Sequence, residues 1–458
     1  HSGCRKPRNS LFHVCNGASV KIHKMRCPLF FAFLTLLVLN HADIPEKRVL
    51  VLIENVFVRD SHSMFFKFLK DRGYHLVYKY ADDASLDLKH LGEYLYQHVI
   101  IFAPSVREFG GNIDVKKLTR FVDEGGNILV AGSPDIGEAI KDFGSECGIE
   151  FDDEKTAVID HMNYDVMDEG KHNLIIVGPE NVANIPVITG KVTKPLLYRG
   201  IGIASNPANP LVINVLHASD TAYSHSPDTP INNYPNTVGR NTQLITGLQA
   251  RNDARVLFVG SLDFFSDEFF LSGAVHSQTN KSYDVSGNRE LSENLALWTF
   301  KENGVLRVSS IHHNKVGEKD PRREYTIKDD IIFSIDIEMK GLDGAWKPFV
   351  ADDVQVELIR IDPFIRRTLP HKGNKYEVQM KLPDVYGVFK LVVDYHRTGY
   401  THLFTSNQIS VRPFTHTQYE RFIISAYPYY ASAISMMAGV SVFSFVYLYL
   451  RDDKLKAE

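Results

Sequence analysis

Two residues stand where a nucleophile could act. Ser133 follows an apolar run in Gly132-Ser133-Pro134-Asp135, and Cys147 lies in Gly144-Ser145-Glu146-Cys147-Gly148. A hydrolase built on an α/β sheet needs Gly-x-Ser-x-Gly, because the strained turn is what exposes the hydroxyl. That pattern is absent from the sequence. With Pro134 behind it, Ser133 is expected at a helix N-terminus, with proline at the first helical position. Cys147 has no evident histidine partner and is expected to be a buried structural thiol. Gly200-Ile201-Gly202 approaches a phosphate-binding loop but lacks the third glycine, and no Gly-Lys-Ser/Thr occurs.

Metal chemistry has equally thin support. His312 and His313 are adjacent, so on a strand they point to opposite faces and cannot chelate together. His161 and His416 are isolated. Asp82-Asp83 and Asp352-Asp353 could hold a divalent ion on a pyrophosphate. Neither pair has a third ligand nearby, and acids at element boundaries serve as caps and turns. The expectation is therefore no metal and no cofactor. Asn280-Lys281-Ser282 is a sequon in a polar loop, open to N-glycosylation.

The elements that would position these residues fall into two lumenal domains and a membrane anchor. Residues 43–304 predict an α/β domain with a largely parallel sheet. Arg48–Ile53, Tyr74–Tyr80, His98–Phe102, Asn127–Ala131 and Arg255–Gly260 are its strands. Helices are expected from Ser61, around Val115–Val122 and over Asn288 to about Lys301, stopped by glycines. A β-rich elaboration occupies about 155–250, where short apolar runs alternate with Pro- and Asn-rich turns. Residues 305–412 switch to a period of two. Val305–Ile311, Ile331–Met339, Val354–Ile361, Tyr376–Leu382, Val388–Tyr395, Thr401–Phe404 and Ile409–Val411 make about seven strands, which suits an immunoglobulin-like β-sandwich.

Tyr427 to Leu450 is a 24-residue run without a charge, long enough to cross a hydrocarbon core of roughly 30 Å. Tyrosines flank it at both ends, and residues 413–426 link it to the sandwich. Ala431, Ser435 and Gly439 place small side chains on one face, expected to pack on another membrane helix. Near the other end, Met25-Arg26-Cys27, the apolar run Pro28–Leu39 and Asn40-His41-Ala42 read as a signal peptide over 25–42, preceded by a leader over 1–24. Together these predict a single-pass type I protein with residues 43–426 in the lumen and 451–458 in the cytosol. The tail Lys454-Leu455-Lys456-Ala457-Glu458 fits a dilysine retrieval signal, with Lys454 and Lys456 as its determinants.

The composition narrows the function. Of 458 residues, 44% are hydrophobic and 23% charged, which excludes a disordered chain. Residues 1–42 carry six of the 51 Lys and Arg and none of the 55 Asp and Glu, so the remainder has ten more acids than bases. That balance opposes nucleic-acid binding. Cys147 is the only cysteine after residue 42, so no internal disulfide can staple the expected mature chain.

Several segments resemble the forty-eight-kilodalton subunit family of oligosaccharyltransferase. They are Arg48-Val49-Leu50-Val51-Leu52-Ile53-Glu54-Asn55, Gly125-Gly126-Asn127-Ile128-Leu129-Val130-Ala131-Gly132, Val259-Gly260-Ser261-Leu262-Asp263-Phe264-Phe265-Ser266 and the Lys-x-Lys-x-x ending. The resemblance runs from Met25 to Glu458 through segment order and architecture. It implies a type I endoplasmic-reticulum membrane protein in the complex that moves a preassembled glycan from dolichyl pyrophosphate to Asn of Asn-x-Ser/Thr. It also implies that catalysis belongs to a separate multi-spanning subunit, with ribophorin I, ribophorin II and the defender-against-death subunit as further partners. This chain has two Trp and no Trp-Trp-Asp, which agrees with a non-catalytic subunit. Two rival classes are a lumenal α/β hydrolase-like enzyme, with Ser133 or Cys147 as nucleophile, and a type I membrane cargo receptor. The terminal lysines oppose the latter.

Overall fold

The computed structural model describes residues 47–450, apart from 319 and 374. The segments expected as leader and signal peptide, and the expected retrieval signal at Lys454 and Lys456, lie outside the described residues. The α/β domain opens with β1 (Arg48–Ile53), α1 (Val56–Ser61), α2 (Ser63–Asp71), β2 (His75–Tyr80), β3 (His98–Phe102), α3 (Val115–Asp123), β4 (Asn127–Ala131) and α4 (Glu138–Glu146). The elaborated part supplies β5 (Ile149–Phe151), β6 (Ala157–Ile159), β7 (Ile203–Ser205), β8 (Val212–His217), β9 (Tyr223–His225) and β10 (Gln243–Gln249). Strand β11 (Arg255–Val259) and helix α5 (Asn288–Thr299) close the domain.

Five strands run parallel in the order β2-β1-β3-β4-β11, a doubly wound arrangement with its switch point between β1 and β3. Alternate side chains leave the sheet on opposite faces. Val49, Val51, Ile100, Phe102 and Leu129 therefore pack with α2 and α5, while Leu50, Leu52, Val99, Ile101 and Ile128 pack with α3 and α4. Both faces are covered, which is why these strands read as continuous apolar runs. Phe65 and Phe66 of α2 stack on Phe102 at ring distances of 5.8 and 5.6 Å.

Three expectations need correction. The sheet is not largely parallel: β10, β7, β5 and β8 of the β-rich part join its far side in antiparallel register. The elaboration extends the sheet instead of standing apart from it. No helix starts at Pro134; α4 begins at Glu138, after Gly137, whose position leaves no room for a side chain against the Val106 carbonyl. The helix expected from Ser61 is two helices broken at His62. Asn55 caps the first through its side chain, and the amino end of the second is met by Asp267.

The second domain contains β12 (Leu306–Lys315), β13 (Glu324–Thr326), β14 (Asp330–Lys340), β15 (Gln355–Ile359), β16 (Pro363–Thr368), β17 (Lys375–Lys381), β18 (Gly387–Tyr395) and β19 (Leu403–Arg412). With the short strands Trp346–Pro348 and His371–Lys372 they form two five-stranded sheets around one apolar core, with β12-β14-β17 and the two short strands in one and β13-β19-β18-β15-β16 in the other. Thr401–Phe404 and Ile409–Val411, expected as two strands, belong to the single strand β19. Helix α6 (Tyr427–Tyr449) is long and apolar enough to cross a membrane, with mean hydropathy 1.7 over an 18-residue stretch.

Candidate functional site

In an open α/β sheet, ligands normally sit in the crevice outside the carboxyl ends of the parallel strands. Here that end is covered at β11. Gly200-Ile201-Gly202 packs on the residues that follow it, with the Ile201 N–H donating to the Gly260 carbonyl at 2.9 Å. The Tyr198 hydroxyl donates to the Ile201 carbonyl at 2.6 Å, and Ser261 Oγ donates to the Arg199 carbonyl at 2.6 Å. The glycines make this approach possible. A Cβ on Gly260 would lie 2.3 Å from the Ile201 carbonyl oxygen, and one on Gly200 would lie 2.2 Å from that of Gly260. The glycine pair that resembled a phosphate loop is thus a backbone plug whose polar groups are already paired.

The switch point between β1 and β3 is occupied as well. Asp267 accepts from the Ser63 and Met64 N–H groups at 3.0 and 2.8 Å, and from Ser63 Oγ at 2.6 Å. A phosphate at the amino end of α2 would need those same donors. His62 is buried, with Nε2 3.1 Å from the Leu262 carbonyl and Nδ1 3.0 Å from that of Val58. Burial holds its pKa below the usual histidine value.

The residues singled out for chemistry are scattered. Ser133 Oγ accepts from the Asp135 N–H at 3.4 Å, within a loop. Cys147 is buried, and burial first, then the charges of Glu146 and Asp123, push its thiol up to about 12. A thiol held protonated is a poor nucleophile at neutral pH. Asp83 closes a turn by accepting from Ser85, and Asp353 accepts from Tyr395 Oη and Arg397 Nε at 3.1 and 2.6 Å. His313 meets Tyr325 Oη at 2.7 Å, while its neighbour His312 is exposed. Among the described residues, no group of three His, Cys, Asp or Glu is gathered to hold a metal. Asn280 is exposed, between two short paired strands.

Two polar assemblies were missed in the sequence. In the first, fully buried Asp160 accepts from Met162 N, Asn163 N and Thr221 Oγ1 at 2.9, 3.2 and 2.8 Å. Beside it, His161 Nδ1 lies 2.6 Å from His172 Nδ1, His161 Nε2 lies 2.9 Å from Tyr223 Oη, and Tyr164 stacks on His172. Asp168 accepts from the backbone of Gly170, His172, Asn173 and Leu174. Burial alone would raise its pKa, but those four N–H groups hold it below the usual carboxylate value. This clasp ties residues 160–174 to β9, which pairs with β6 next to the plug. Its sequence signal is local: aspartates followed at two to six residues by backbone donors.

The second lies at the amino ends of the same strands, where a groove of about 490 Å³ opens beside Tyr74, Tyr94, His98, Phe300, Lys301 and Lys340. Its cations are engaged with carbonyls and acids. Lys47 Nζ donates to the Arg72 carbonyl at 3.1 Å and to Glu302 at 2.9 Å, and Lys301 Nζ donates to the Gly125 carbonyl at 3.4 Å. These carbonyls follow the carboxyl ends of α2 and α3, where the helix dipole favours positive charge. Lys340 brings the second domain to the wall of the groove. Where the two domains join, Arg255, fully buried, donates from Nη1 to the Trp298 and Asn303 carbonyls at 2.6 and 2.7 Å. Its Nη2 donates to the Gly304 and Gly399 carbonyls, both at 3.1 Å. Burial lowers its pKa to about 10, which leaves it charged at neutral pH. Trp298 Nε1 also donates to the Gly399 carbonyl, and the Gln249 side chain holds the backbone on both sides of that bond.

Fold and site together define a protein of two packed domains on one apolar helix, with a doubly wound sheet whose ligand crevice is plugged. Two family descriptions match it: OST48, N-terminal domain, over residues 40–302, and OST48 middle domain over residues 312–451. The zebrafish (Danio rerio) dolichyl-diphosphooligosaccharide–protein glycosyltransferase 48 kDa subunit is 55% identical over 415 residues, covering 90% of this chain and 94% of that one. Its Drosophila melanogaster counterpart is 51% identical over 89% of this chain and 92% of its own length. A solved putative ThuA-like protein from Parabacteroides merdae shares 12% identity with a TM-score of 0.30, covering 56% of this chain and 90% of its own. The chain belongs to the OST48 family, the 48 kDa subunits of dolichyl-diphosphooligosaccharide–protein glycosyltransferase.

Proposed function

We propose that the chain is a non-catalytic, structural subunit of oligosaccharyltransferase, supporting transfer of a preassembled glycan from dolichyl pyrophosphate to Asn of Asn-x-Ser/Thr. Family membership supports its place in the complex and in protein N-glycosylation. The observation that supports an accessory role is the closed carboxyl end: Gly200 and Ile201 pack on Gly260 beyond β11, and Asp267 takes the α2 donors at the β1–β3 switch point, where a doubly wound sheet would hold a substrate. The partners in this reading are the catalytic multi-spanning subunit, ribophorin I, ribophorin II and the defender-against-death subunit. The chain is then a type I protein of the endoplasmic-reticulum membrane with both domains lumenal, retrieved through Lys454 and Lys456. Asn280, exposed, is its N-glycosylation site.

The domain division is 43–304, 305–412 and 427–450. Strand pairing supports an immunoglobulin-type second domain, because β15-β18-β19 form one sheet and β12-β14-β17 the other. On α6, Ala431, Ser435 and Gly439 form the packing face. Ser435 donates to the Ser432 carbonyl at 2.9 Å, so the face works through shape and not through a free hydroxyl.

The test is capture of the chain from digitonin-solubilised microsomes, with assay of glycan transfer to an Asn-x-Thr peptide. Activity should co-purify with a multi-spanning partner, and the isolated chain should be inactive. Transfer by the isolated chain would end the accessory reading. Gly439→Leu should weaken recovery of partner subunits in mild detergent, and unchanged recovery would remove the packing face.

A further inference from the structure

Strand β19 is paired along its whole length on one side only. Its residues 403–411 face β18 in antiparallel register, whereas on the other side β13 covers only Ser410–Arg412. In an antiparallel pair, alternate residues turn their N–H and C=O groups away from the partner. Ser410 N–H donates outward to the Arg323 carbonyl and the Arg412 carbonyl accepts outward from Ile327, which sets the phase. Phe404, Ser406 and Gln408 therefore also aim their backbone groups outward, and no described strand pairs with them. Where β13 stops, a groove of about 500 Å³ opens along Asn407, Gln408 and Ser410, walled by His313, Arg322 and Arg323. Arg322 pairs with Glu318, while Arg323 forms no ion pair among the described residues.

An edge of this kind is normally blunted by a charge pointing along it, by proline or by a covering loop. Residues 404–408 are Phe-Thr-Ser-Asn-Gln, with none of those devices. We propose that this edge receives an extended, acidic segment of another subunit, which continues the line of β13 and places a carboxylate against Arg323. In-line backbone groups require an extended chain, since a helix or a lipid headgroup cannot match their spacing. The arginine sets the sign of the partner's charge. The inference rests on the reading of the chain as a subunit of a complex.

Ser406→Pro tests it. The Ser406 N–H points away from β18, so proline there leaves the pairing with β18 intact but removes a donor and obstructs an added strand. Full-length chain carrying a photo-crosslinking residue at Gln408 is irradiated in native membranes, with and without S406P, and separately with R323E. The expected result is a crosslink to an acidic stretch of another subunit. S406P or R323E should each lower it about tenfold, the effect of losing one or two hydrogen bonds. A crosslink to a second copy of this chain, or an unchanged yield with S406P, overturns the proposal. So does the absence of any crosslink while partner subunits are still recovered. If the wild-type chain recovers no partner subunit at all, it is the subunit reading that fails. A conservative Ser406→Thr should behave as wild type; loss of the crosslink with Thr as well would overturn the backbone mechanism.

Discussion

The two ends of the parallel sheet are closed by different means. At the carboxyl end, backbone lies on backbone: Gly200 and Gly260 approach so closely that no side chain fits between them. At the amino end, long cationic side chains do the joining, with Lys47, Lys301 and Arg255 spread over carbonyls that follow helices and strands. The first closure depends on the absence of atoms and the second on their charge. A doubly wound sheet that normally offers its carboxyl end to a small molecule has lost that opening, and its opposite end has become the mount for a second domain.

The contrast can be broken from either side. The largest effect is expected from Arg255→Met, which withdraws four donors from carbonyls at the junction; three of these bonds are buried, and the half-buried Asn303 carbonyl has no other donor among the described residues. A loss of about 2–4 kcal/mol should appear in thermal unfolding of the full chain in detergent. An unchanged midpoint would mean that the junction is held by apolar packing alone. Gly260→Ala should cost about 1–3 kcal/mol by overpacking, because the plug must move away from the added methyl. If it is neutral, the carboxyl end is looser than the geometry indicates.

Charge at the amino end also makes stability depend on pH. His98 is buried beside Asn127, and burial, followed by Lys301, Lys340 and Lys47, lowers its pKa to about 3. The folded state keeps it neutral while the unfolded chain protonates near pH 6.5, so its contribution is complete above 6.5 and falls as pH drops toward 3. The expected slope is about 1.4 kcal/mol per pH unit below 6.5. His98→Gln should flatten the midpoint-versus-pH curve between 7 and 5.5; a curve of unaltered slope would assign the dependence to other groups. The smallest effect is expected for His161→Ala. His161 is itself exposed and its partners half-buried, so unfolding should shift by no more than ~0.5 kcal/mol. A loss as large as that of Gly260→Ala would show that the plug is held in place by the clasp around Asp160.

What could be read beforehand follows the same division. Val49–Ile53, Val99–Phe102 and Ile128–Ala131 are buried on both faces, and an uninterrupted apolar run is the mark that such burial leaves on a sequence. The antiparallel extension was less visible, because β7 and β5 are three residues each and join the sheet only through β10. Strand β19 reads as two pieces because Thr405–Gln408 are polar, which an unpaired edge tolerates. Arg255 looked like an ordinary first residue of a strand. Its meaning lies in Gly399, 144 residues away, and no local pattern carries that. The helix expected after Ser133 shows the opposite error: Pro134 is compatible with a first helical turn, but Gly137 is pressed against Val106 and α4 starts after it.

The Arg255 junction also has a statistical consequence. Two domains on a loose tether sample orientations independently, and a partner that grips one then finds the other at an effective concentration set by the tether. Here Gly399 and Tyr400 are clamped by Arg255, Trp298 and Gln249. A molecule that docks on the doubly wound domain thus meets the sandwich at a single, predetermined spacing, and the search for the second contact has been completed during folding.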